Sequence, residues 1–213
     1  METIKNVLLI NAHLTYPNWS EGTLNRSFIA IAKEFFLSKG YQVLETTIEN
    51  GYEADEEVEK HLKADIIILQ TPINWFGAPW IYKKYVDEVF NSGLHSAKFL
   101  AGDGRTKEDA SRQYGTGGKM QGKKFMVSAT WNAPEESFGN PSQRLFEGET
   151  TAGFFKQFTS NYRFCGVDIV EDYNCFDIFK DGDIKKSLQD YPSHLAKVFA
   201  VEEMVNSEQI INQ

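Results

Sequence analysis

A cluster of hydroxyl, amide and guanidinium side chains follows the first apolar run of the chain, and such groups can hold a phosphate. Val7 to Ile10 predicts a buried strand, and a turn-rich loop leads from it to the start of a helical pattern. Amides at a helix start and nearby Ser, Thr and Asn side chains are donors for an anion. The candidate ligands are Ser20, Glu21, Gly22, Thr23, Leu24, Asn25, Arg26 and Ser27. A second interpretation stays open, in which Ser20 is an ordinary N-cap on a core helix.

Aromatic loops follow two further apolar runs. The run Ile66 to Leu69 is typical of a strand buried on both faces, and the run Lys124 to Thr130 is a second such strand. Carboxyl ends of parallel strands meet at one edge of a sheet, where open α/β sheets bind ligands. Any one loop aromatic is more often local core, but the joint placement predicts a wall and fixed amides for a planar redox ring. The residues are Ile73, Asn74, Trp75 and Phe76 in one loop, and Thr130, Trp131, Asn132 and Ala133 in the other.

The stretch from Asn91 to Gly122 is too long for an ordinary connection and contains seven glycines. It carries more Lys and Arg than Asp and Glu, although the formal net charge of the whole chain is -8. This excess suits a phosphorylated cofactor, and a solvated charged loop is the alternative. Tyr114, followed by Gly115 to Gly118, is a phenol on flexible backbone that can cover a ring or donate a hydrogen bond to a developing oxyanion.

The remaining residue types that often carry chemistry form no motif. The histidines lack metal-ligand spacing, so we expect no metal site, a structural role for His13 and a solvent-exposed position for His61. Cys165 and Cys175 lack metal or redox spacing and are expected to be core thiols in a reducing cytoplasm. The chain has neither the G-x-S-x-G turn of a hydrolase nor, after its first strand, the G-x-G-x-x-G loop of a dinucleotide-binding fold.

Apolar runs alternate with helical patterns along the chain. The alternation predicts an α/β fold, a doubly wound five-stranded parallel sheet with helices on both faces. The strands are expected at 7–10, 41–47, 65–70, 124–130 and 173–176, and the helices from Ser20 to a stop at Gly40 and at 53–64, 79–90, 151–165 and 184–206. We expect one domain over residues 1–213, with a long glycine-rich insertion at about 91–122.

Composition excludes several classes of partner. The net charge of -8 disfavours nucleic acid and anionic membranes, because both bind a positive face. No stretch approaches the length of a transmembrane span, and the short apolar segment at the start does not fit a signal peptide. Aromatic residues make up 14% of the chain, which indicates stacking surfaces or a large interface in addition to a core.

Four segments together resemble a known family. They are SEGTLNRS from Ser20, QTPINWFGAPW with KKYVDEVF from Gln70, DGRTKED with YGTGG from Asp103, and QGKKFMVSATWNAP from Gln121. They resemble the bacterial modulator of drug activity B proteins, which are flavodoxin-like NAD(P)H:quinone oxidoreductases. The resemblance runs from about Ile4 to Phe138, and more faintly to Phe199. Asn74-Trp75 stands where relatives have an aromatic pair, and the stretch around 94–100 is slightly longer, which leaves substrate preference open.

The resemblance implies bound FAD, a homodimer with flavin sites near the subunit interface, and two-electron reduction of quinones. It places the flavin contacts at 20–27, 73–76, 114 and 130–133, which coincide with the sites chosen on physical grounds. NADPH is then expected to pass hydride to flavin N5, and a quinone to take its place and receive the hydride. Amides at 130–133 stabilise the negative charge, and Tyr114 or water supplies the proton.

Two alternatives stay open at this point. An azo- or nitro-compound reductase shares the fold and the flavin, and only a substrate panel separates it. A non-enzymatic flavin-binding electron carrier or redox sensor is the alternative from a different class. It is distinguished by a flavin that NADPH cannot bleach without a partner reductase.

Overall fold

A computed structural model describes residues 5–180 and 182–201. The strands are β1 (Asn6–Asn11), β2 (Gln42–Thr47), β3 (Ile66–Pro72), β4 (Lys124–Thr130), β5 (Asp168–Ile169) and β6 (Tyr173–Cys175). The α-helices are α1 (Thr23–Ser38), α2 (Ala54–Lys63), α3 (Trp80–His95), α4 (Thr151–Phe154), α5 (Lys156–Phe164) and α6 (Ile184–Phe199), and short 3₁₀ turns lie at Ile48–Asn50 and Glu135–Ser137.

The strands form one parallel sheet in the order β2-β1-β3-β4-β5, and β6 also pairs with β4. Because β5 pairs with the start of β4 and β6 with its end, these two short strands share the fifth position of the sheet. The predicted α/β fold with a five-position parallel sheet is confirmed. The sheet brings the carboxyl ends of β1, β3 and β4 side by side, since these three strands are neighbours.

Helices cover both faces of the sheet, and each face has its own apolar core. In β1, Val7 and Leu9 face α1 and α6, whereas Leu8 and Ile10 face the layer of α2, α3 and α5. This alternation follows from the two-residue period of a strand, and it makes each central strand apolar throughout. Cys165 and Cys175 are buried free thiols, which confirms their expected place in the core.

Several boundaries differ from the prediction. Ser20 is not the N-cap of α1, because the helix begins at Thr23 after Gly22. The third helix continues to His95, and the helix predicted at 151–165 is two helices separated by Phe155. The last helix ends at Phe199, and the residues predicted to extend it from 202 to 206 lie outside the described part. The strand β5 was not predicted, because two residues are too few for a periodic pattern.

His61 is fully buried, so its predicted solvent-exposed position is wrong. Its Nδ1 is hydrogen-bonded to the carbonyl oxygen of Glu57, and its Nε2 lies 3.3 Å from the hydroxyl of Tyr162. Burial lowers the pKa of His61 to about 4, so the ring is neutral at physiological pH. The helix α2 therefore turns polar side chains as well as Val58 toward the sheet.

The glycine-rich segment forms a folded arm at the amino-terminal edge of the sheet. Gly117 pairs with Ala101, and a Cβ at Gly118 would lie 2.1 Å from the backbone of Cys165. The amide of Met120 donates to the carbonyl of Cys165, just before β5. The helix α3 runs from the carboxyl edge of the sheet back to the amino-terminal edge. The arm therefore begins and ends at the amino-terminal edge, away from the carboxyl ends of β1, β3 and β4.

Among the helices of residues 5–180 and 182–201, none is both long and apolar enough to cross a membrane.

Candidate functional site

A cavity of about 180 Å³ opens at the carboxyl ends of β1, β3 and β4. Its walls come from the loop after β1, the start of α1, the loop after β3, the end of β4 and the loop after β6. This edge is where open parallel sheets bind ligands, because the loops diverge there into helices on opposite faces. The cavity therefore lies where the strand pattern predicted a site.

The helix α1 begins at this cavity with its first amides free of a side-chain cap. Its N-cap is Gly22, whose φ of 75° is left-handed, and no described side chain accepts a hydrogen bond from the first turn. A Cβ at Gly22 would lie 2.5 Å from Nδ1 of His13, so only glycine fits between this imidazole and the helix start. Uncapped amides at the positive end of a helix are suited to an anion.

The imidazole of His13 packs against Gly22 at the start of α1. Its ring is buried, and its Nε2 is hydrogen-bonded to the hydroxyl of Ser20 at 3.1 Å. Burial lowers the pKa of His13 below its ordinary value, and Arg26 lowers it further, while Glu49 opposes both effects. His13 is thus a neutral buried ring that positions Ser20 at the cavity wall, in line with the expected structural role.

Two buried polar groups of the site lack a partner. Thr130 lines the cavity, and its buried Oγ1 has no hydrogen bond within the described residues. Nearby, Gln70 donates to Oδ1 of Asn25 at 2.8 Å, but the Oε1 of Gln70 has no partner among them. Burying a hydroxyl without a hydrogen bond costs about 1–3 kcal/mol. A ligand that forms a hydrogen bond with the hydroxyl of Thr130 would remove this cost.

The loop after β3 is a two-residue turn with unusual central residues. Asn74 and Gly77 exchange backbone hydrogen bonds of 2.8 and 3.2 Å, and between them Trp75 and Phe76 have φ values of 47° and 64°. This left-handed pair is usually Asn-Gly, because a side chain there costs about 1–3 kcal/mol per residue. The turn presents Asn74 to the cavity and leaves the side chain of Trp75 87% exposed.

The loop after β4 does not use its tryptophan as a wall. The ring of Trp131 is buried in an aromatic cluster, and its Nε1 donates to Oδ1 of Asn174 at 2.7 Å. Its backbone amide donates to the carbonyl of Cys175, whereas the amides of Asn132 and Ala133 donate to no described acceptor. What this loop offers at the cavity wall is therefore Thr130 and Asn132, and the free amide of Ala133 lies just behind them in the chain.

The structure brings together about half of the sequence-predicted site residues. Those that line the cavity are Ser20, Gly22, Thr23, Leu24, Asn25, Ile73, Asn74, Thr130 and Asn132. Those that do not line it are Glu21, Arg26, Ser27, Trp75, Phe76, Trp131, Ala133 and Tyr114. In the second group, Arg26 donates to the carbonyl oxygen of Glu21 and Ser27 to that of Thr23, so both brace the helix start.

Tyr114 lies at the other edge of the sheet from the cavity. Its ring packs on Phe164, the last residue of α5, with a centroid distance of 5.1 Å, and Arg105 lies over its face at 5.3 Å. Several cations of the arm are engaged locally: Arg105 pairs with Asp103, and Lys98 pairs with Glu59. The arm therefore adds neither its phenol nor its charge to the cavity of its own chain.

Sequence reasoning missed the cavity residues outside the two aromatic loops and the helix start. They are Leu14, Tyr16, Trp19, Pro72, Pro79, Ile178 and Phe179. The rule that ligands bind at the carboxyl ends of parallel strands also applies to the loop after the last strand. It could therefore have predicted Ile178 and Phe179. Tyr16 and Trp19 lie in a segment that the pattern marked only as turn-rich.

Replacing Thr130 with valine is expected to stabilise the ligand-free protein slightly and to weaken about fivefold the binding of the flavin that the family resemblance implies. The swap keeps the shape but removes a hydroxyl that has no partner without a ligand, and one hydrogen bond is worth about 1 kcal/mol. The free energy of unfolding of the ligand-free protein and a flavin titration measure the two effects. The control T130S keeps the hydroxyl and should keep the affinity. If T130V binds flavin as the wild type does, the hydroxyl is not a ligand contact.

Comparison with known proteins gives three findings. A family model described as the flavodoxin-like fold matches residues 5–198. The chain is 38% identical over 194 residues to the NADPH:quinone oxidoreductase MdaB of Haemophilus influenzae, covering 91% of this chain and 99% of that protein. Among solved structures, a candidate quinone reductase from Klebsiella pneumoniae superposes with a TM-score of 0.73 at 19% identity, over 93% of this chain and 86% of that one.

A second solved structure is the general stress protein 14 of Treponema denticola in complex with FMN. It superposes with a TM-score of 0.61 at 19% identity, covering 93% of this chain and 99% of the other. At this identity the two structural matches establish the shared fold alone.

Proposed function

Because the chain belongs to the flavodoxin-like family, and within it to the modulator of drug activity B group, we propose that it is an FAD-dependent NAD(P)H:quinone oxidoreductase with NADPH as co-substrate. The observation that carries the proposal is the cavity at the sheet edge. There, an uncapped helix start, an unpaired threonine hydroxyl and an apolar wall meet in the arrangement that a phosphate attached to a flat ring requires. When bound, FAD supplies two-electron hydride transfer from NADPH to a quinone.

Different groups of the chain bind the phosphate, exclude water and stabilise charge. The first-turn amides of α1 and the hydroxyl of Ser20 hold phosphate, and Ile73 and Pro79 exclude water from one side of the ring. The hydroxyl of Thr130 and the free amides of the loop after β4 stabilise negative charge that develops at the ring edge. Positioning supplies most of the rate, since stacked reactants need no strong acid or base.

The proposal includes a homodimer in the cytoplasm. Trp75, Phe76 and Trp80 are 87%, 51% and 63% exposed and lie on the loop after β3 or directly behind it at the start of α3. Neighbouring exposed aromatics of this size mark an interaction surface, and a second copy of the chain covers them in our proposal. Two free, buried cysteines without a disulfide suit a reducing compartment.

The experiment that tests the function begins with the purified holoprotein. Its cofactor is released by heat and identified, and the holoprotein is then titrated with NADPH without oxygen. We expect FAD, bleached rapidly by NADPH alone and reoxidised by quinones. A flavin that NADPH cannot bleach identifies a carrier, and reoxidation by azo or nitro compounds but not by quinones identifies the other reductase. A colourless protein that ignores added FAD overturns the proposal.

Replacing Tyr114 with phenylalanine is expected to lower quinone turnover roughly tenfold while flavin stays bound, because one hydrogen bond in the transition state is worth about 1.4 kcal/mol. The variant removes only the hydroxyl, which has no hydrogen bond among the described residues, and keeps the packing on Phe164 and Arg105. Tyr114 lies away from the cavity of its own chain, and in this proposal its hydroxyl acts at the site of the second copy in the homodimer. Steady-state turnover with NADPH and a quinone measures the effect, and Y41F, another tyrosine at the amino-terminal edge, is the control. Unchanged turnover in Y114F removes Tyr114 from the mechanism.

A further inference from the structure

Two exposed aromatic side chains face the cavity from loops that no motif marked. Trp19 follows β1 and Phe179 follows β6, and both line the cavity although they are 60% and 62% exposed. Single exposed aromatics are common on proteins, but two that converge on one cavity from separate loops form a stacking surface. Neither side chain has a place in the proposed chemistry at the flavin ring.

Topology puts these two residues on the side of the cavity away from the ring loop. Trp19 precedes α1 and Phe179 precedes α6, and these helices pack together on one face of the sheet. The loop after β3, in contrast, leads to Pro79 and α3 on the opposite face. The helix start and Thr130 complete the cavity, so that it offers an apolar wall on each side of a phosphate cradle.

Trp19 lies in a turn that backbone hydrogen bonds close. Tyr16 and Ser20 exchange backbone hydrogen bonds of 3.0 and 2.8 Å, and the ring of Tyr16 meets the indole edge-on at 5.7 Å. Asn18 adopts a left-handed φ of 64°, and its amide donates to the carboxylate of Glu21 at 2.8 Å. The backbone that carries the indole is therefore ordered before any ligand arrives, which reduces the entropy lost on binding.

Phe179 is tied to the loop that carries Thr130. The amide of Ile178 donates to the carbonyl of Trp131 at 3.0 Å, and the amide of Asp177 donates to the carbonyl of Ala133 at 3.1 Å. These bonds fix the segment before Phe179 against the loop after β4. The aromatic pair and the unpaired hydroxyl of Thr130 thus belong to one connected structure.

We propose that Trp19 and Phe179 stack on the adenine ring of FAD and so make the site selective for FAD over FMN. The inference rests on the proposed function and deepens it. A mononucleotide needs one stacking wall beside its phosphate, whereas a flavin dinucleotide has a ring on each side of its pyrophosphate. A site with two walls and a central cradle matches the dinucleotide.

The test is a titration of the flavin-free protein with FAD and with FMN, in the absence of NADPH. In W19A the Kd for FAD should rise on the order of tenfold to a hundredfold, because stacking of a base on an aromatic ring is worth that much. The Kd for FMN should stay within about twofold, and W19F should keep most of the FAD affinity. The control is L37A, which removes another exposed apolar side chain, 51% exposed, from α1 at a position that does not line the cavity.

The outcomes separate this inference from the proposed function. Equal weakening of FAD and FMN in W19A, or no change in either, overturns the adenine contact, and so does the same loss in L37A. Wild-type protein that binds both flavins equally tightly overturns the selectivity and leaves the flavoenzyme in place. Wild-type protein that binds neither flavin overturns the proposed function itself. The F179A variant and a size measurement of each variant keep the test decisive if W19A folds or assembles poorly.

Discussion

Replacing Gly22 with alanine is expected to weaken flavin binding about a hundredfold, whereas the same replacement at Gly40 should leave it unchanged. The two glycines have nearly the same backbone, with φ values of 75° and 77°. An alanine at either position costs about 1–2 kcal/mol, because the left-handed region disfavours a side chain. The positions differ in their surroundings: a Cβ at Gly22 would lie 2.5 Å from Nδ1 of His13, and nothing lies within 4 Å at Gly40.

The clash at Gly22 cannot be relieved cheaply. His13 is buried and hydrogen-bonded to Ser20, so moving the ring displaces a cavity residue, and moving the helix start displaces the amides that hold phosphate. Loss of two hydrogen bonds to a charged phosphate, each worth about 1.5 kcal/mol, corresponds to about a hundredfold in Kd.

Denaturant unfolding and flavin titration of both variants measure the difference. G40A should lose about 1–2 kcal/mol of stability and keep its flavin affinity. G22A should lose about 2 kcal/mol more, as overpacking in a closed space does. If G22A binds flavin as tightly as G40A does, the start of α1 is not the phosphate site.

Replacing Glu57 with alanine is expected to cost about 3 kcal/mol of folding free energy, because the carboxylate is the centre of a buried hydrogen-bonded cluster. The side chain of Glu57 is only 2% exposed, and three side chains hydrogen-bond its carboxylate. Lys60 donates at 2.6 Å, Tyr85 at 2.7 Å, and Thr46 donates to both oxygens. Removing the carboxylate leaves the buried phenol of Tyr85 without its acceptor, and it leaves Lys60 with only the carbonyl of Glu45 and the hydroxyl of Thr46.

The neighbouring Glu59 is the control for this change. It lies on the same helix and pairs with Lys98, but both side chains are almost half exposed. A surface ion pair contributes about 0–1 kcal/mol, so E59A should be nearly neutral. Guanidinium unfolding of the two variants gives the comparison. A loss of less than 1 kcal/mol in E57A would show that the cluster contributes no more than a surface pair.

The central strands were predictable from the sequence, because strands covered by helices on both faces must be apolar throughout. The runs in β1, β3 and β4 gave these strands within one or two residues, and the site edge followed from them. The buried face of α2 was not predictable in the same way. Glu57 and His61 are polar, and only their partners on α3 and α5, far away in sequence, show that they are inside.

The candidate site was predicted at the level of loops and not at the level of side chains. Trp131 and Trp75 follow strands in the same way, yet one ring is buried and the other almost fully exposed. What decides between them is the aromatic cluster of Phe138, Phe154 and Phe155, which packs around Trp131 and comes from other parts of the chain. The sequence next to a tryptophan does not show which distant residues pack around its ring. The same holds for Tyr114, whose place depends on how the glycine-rich arm folds against α5.

The tight turn at Trp75 and Phe76 also bears on how this protein can be engineered. A thermostability screen is expected to favour Asn-Gly at these two positions, because the exchange relieves two unfavourable backbone conformations. The same exchange removes two exposed rings from the surface that the proposed homodimer buries. Heat resistance of the single chain and dimerisation are thus opposed at one dipeptide, and a library selected for melting temperature alone is expected to enrich robust clones that dimerise poorly.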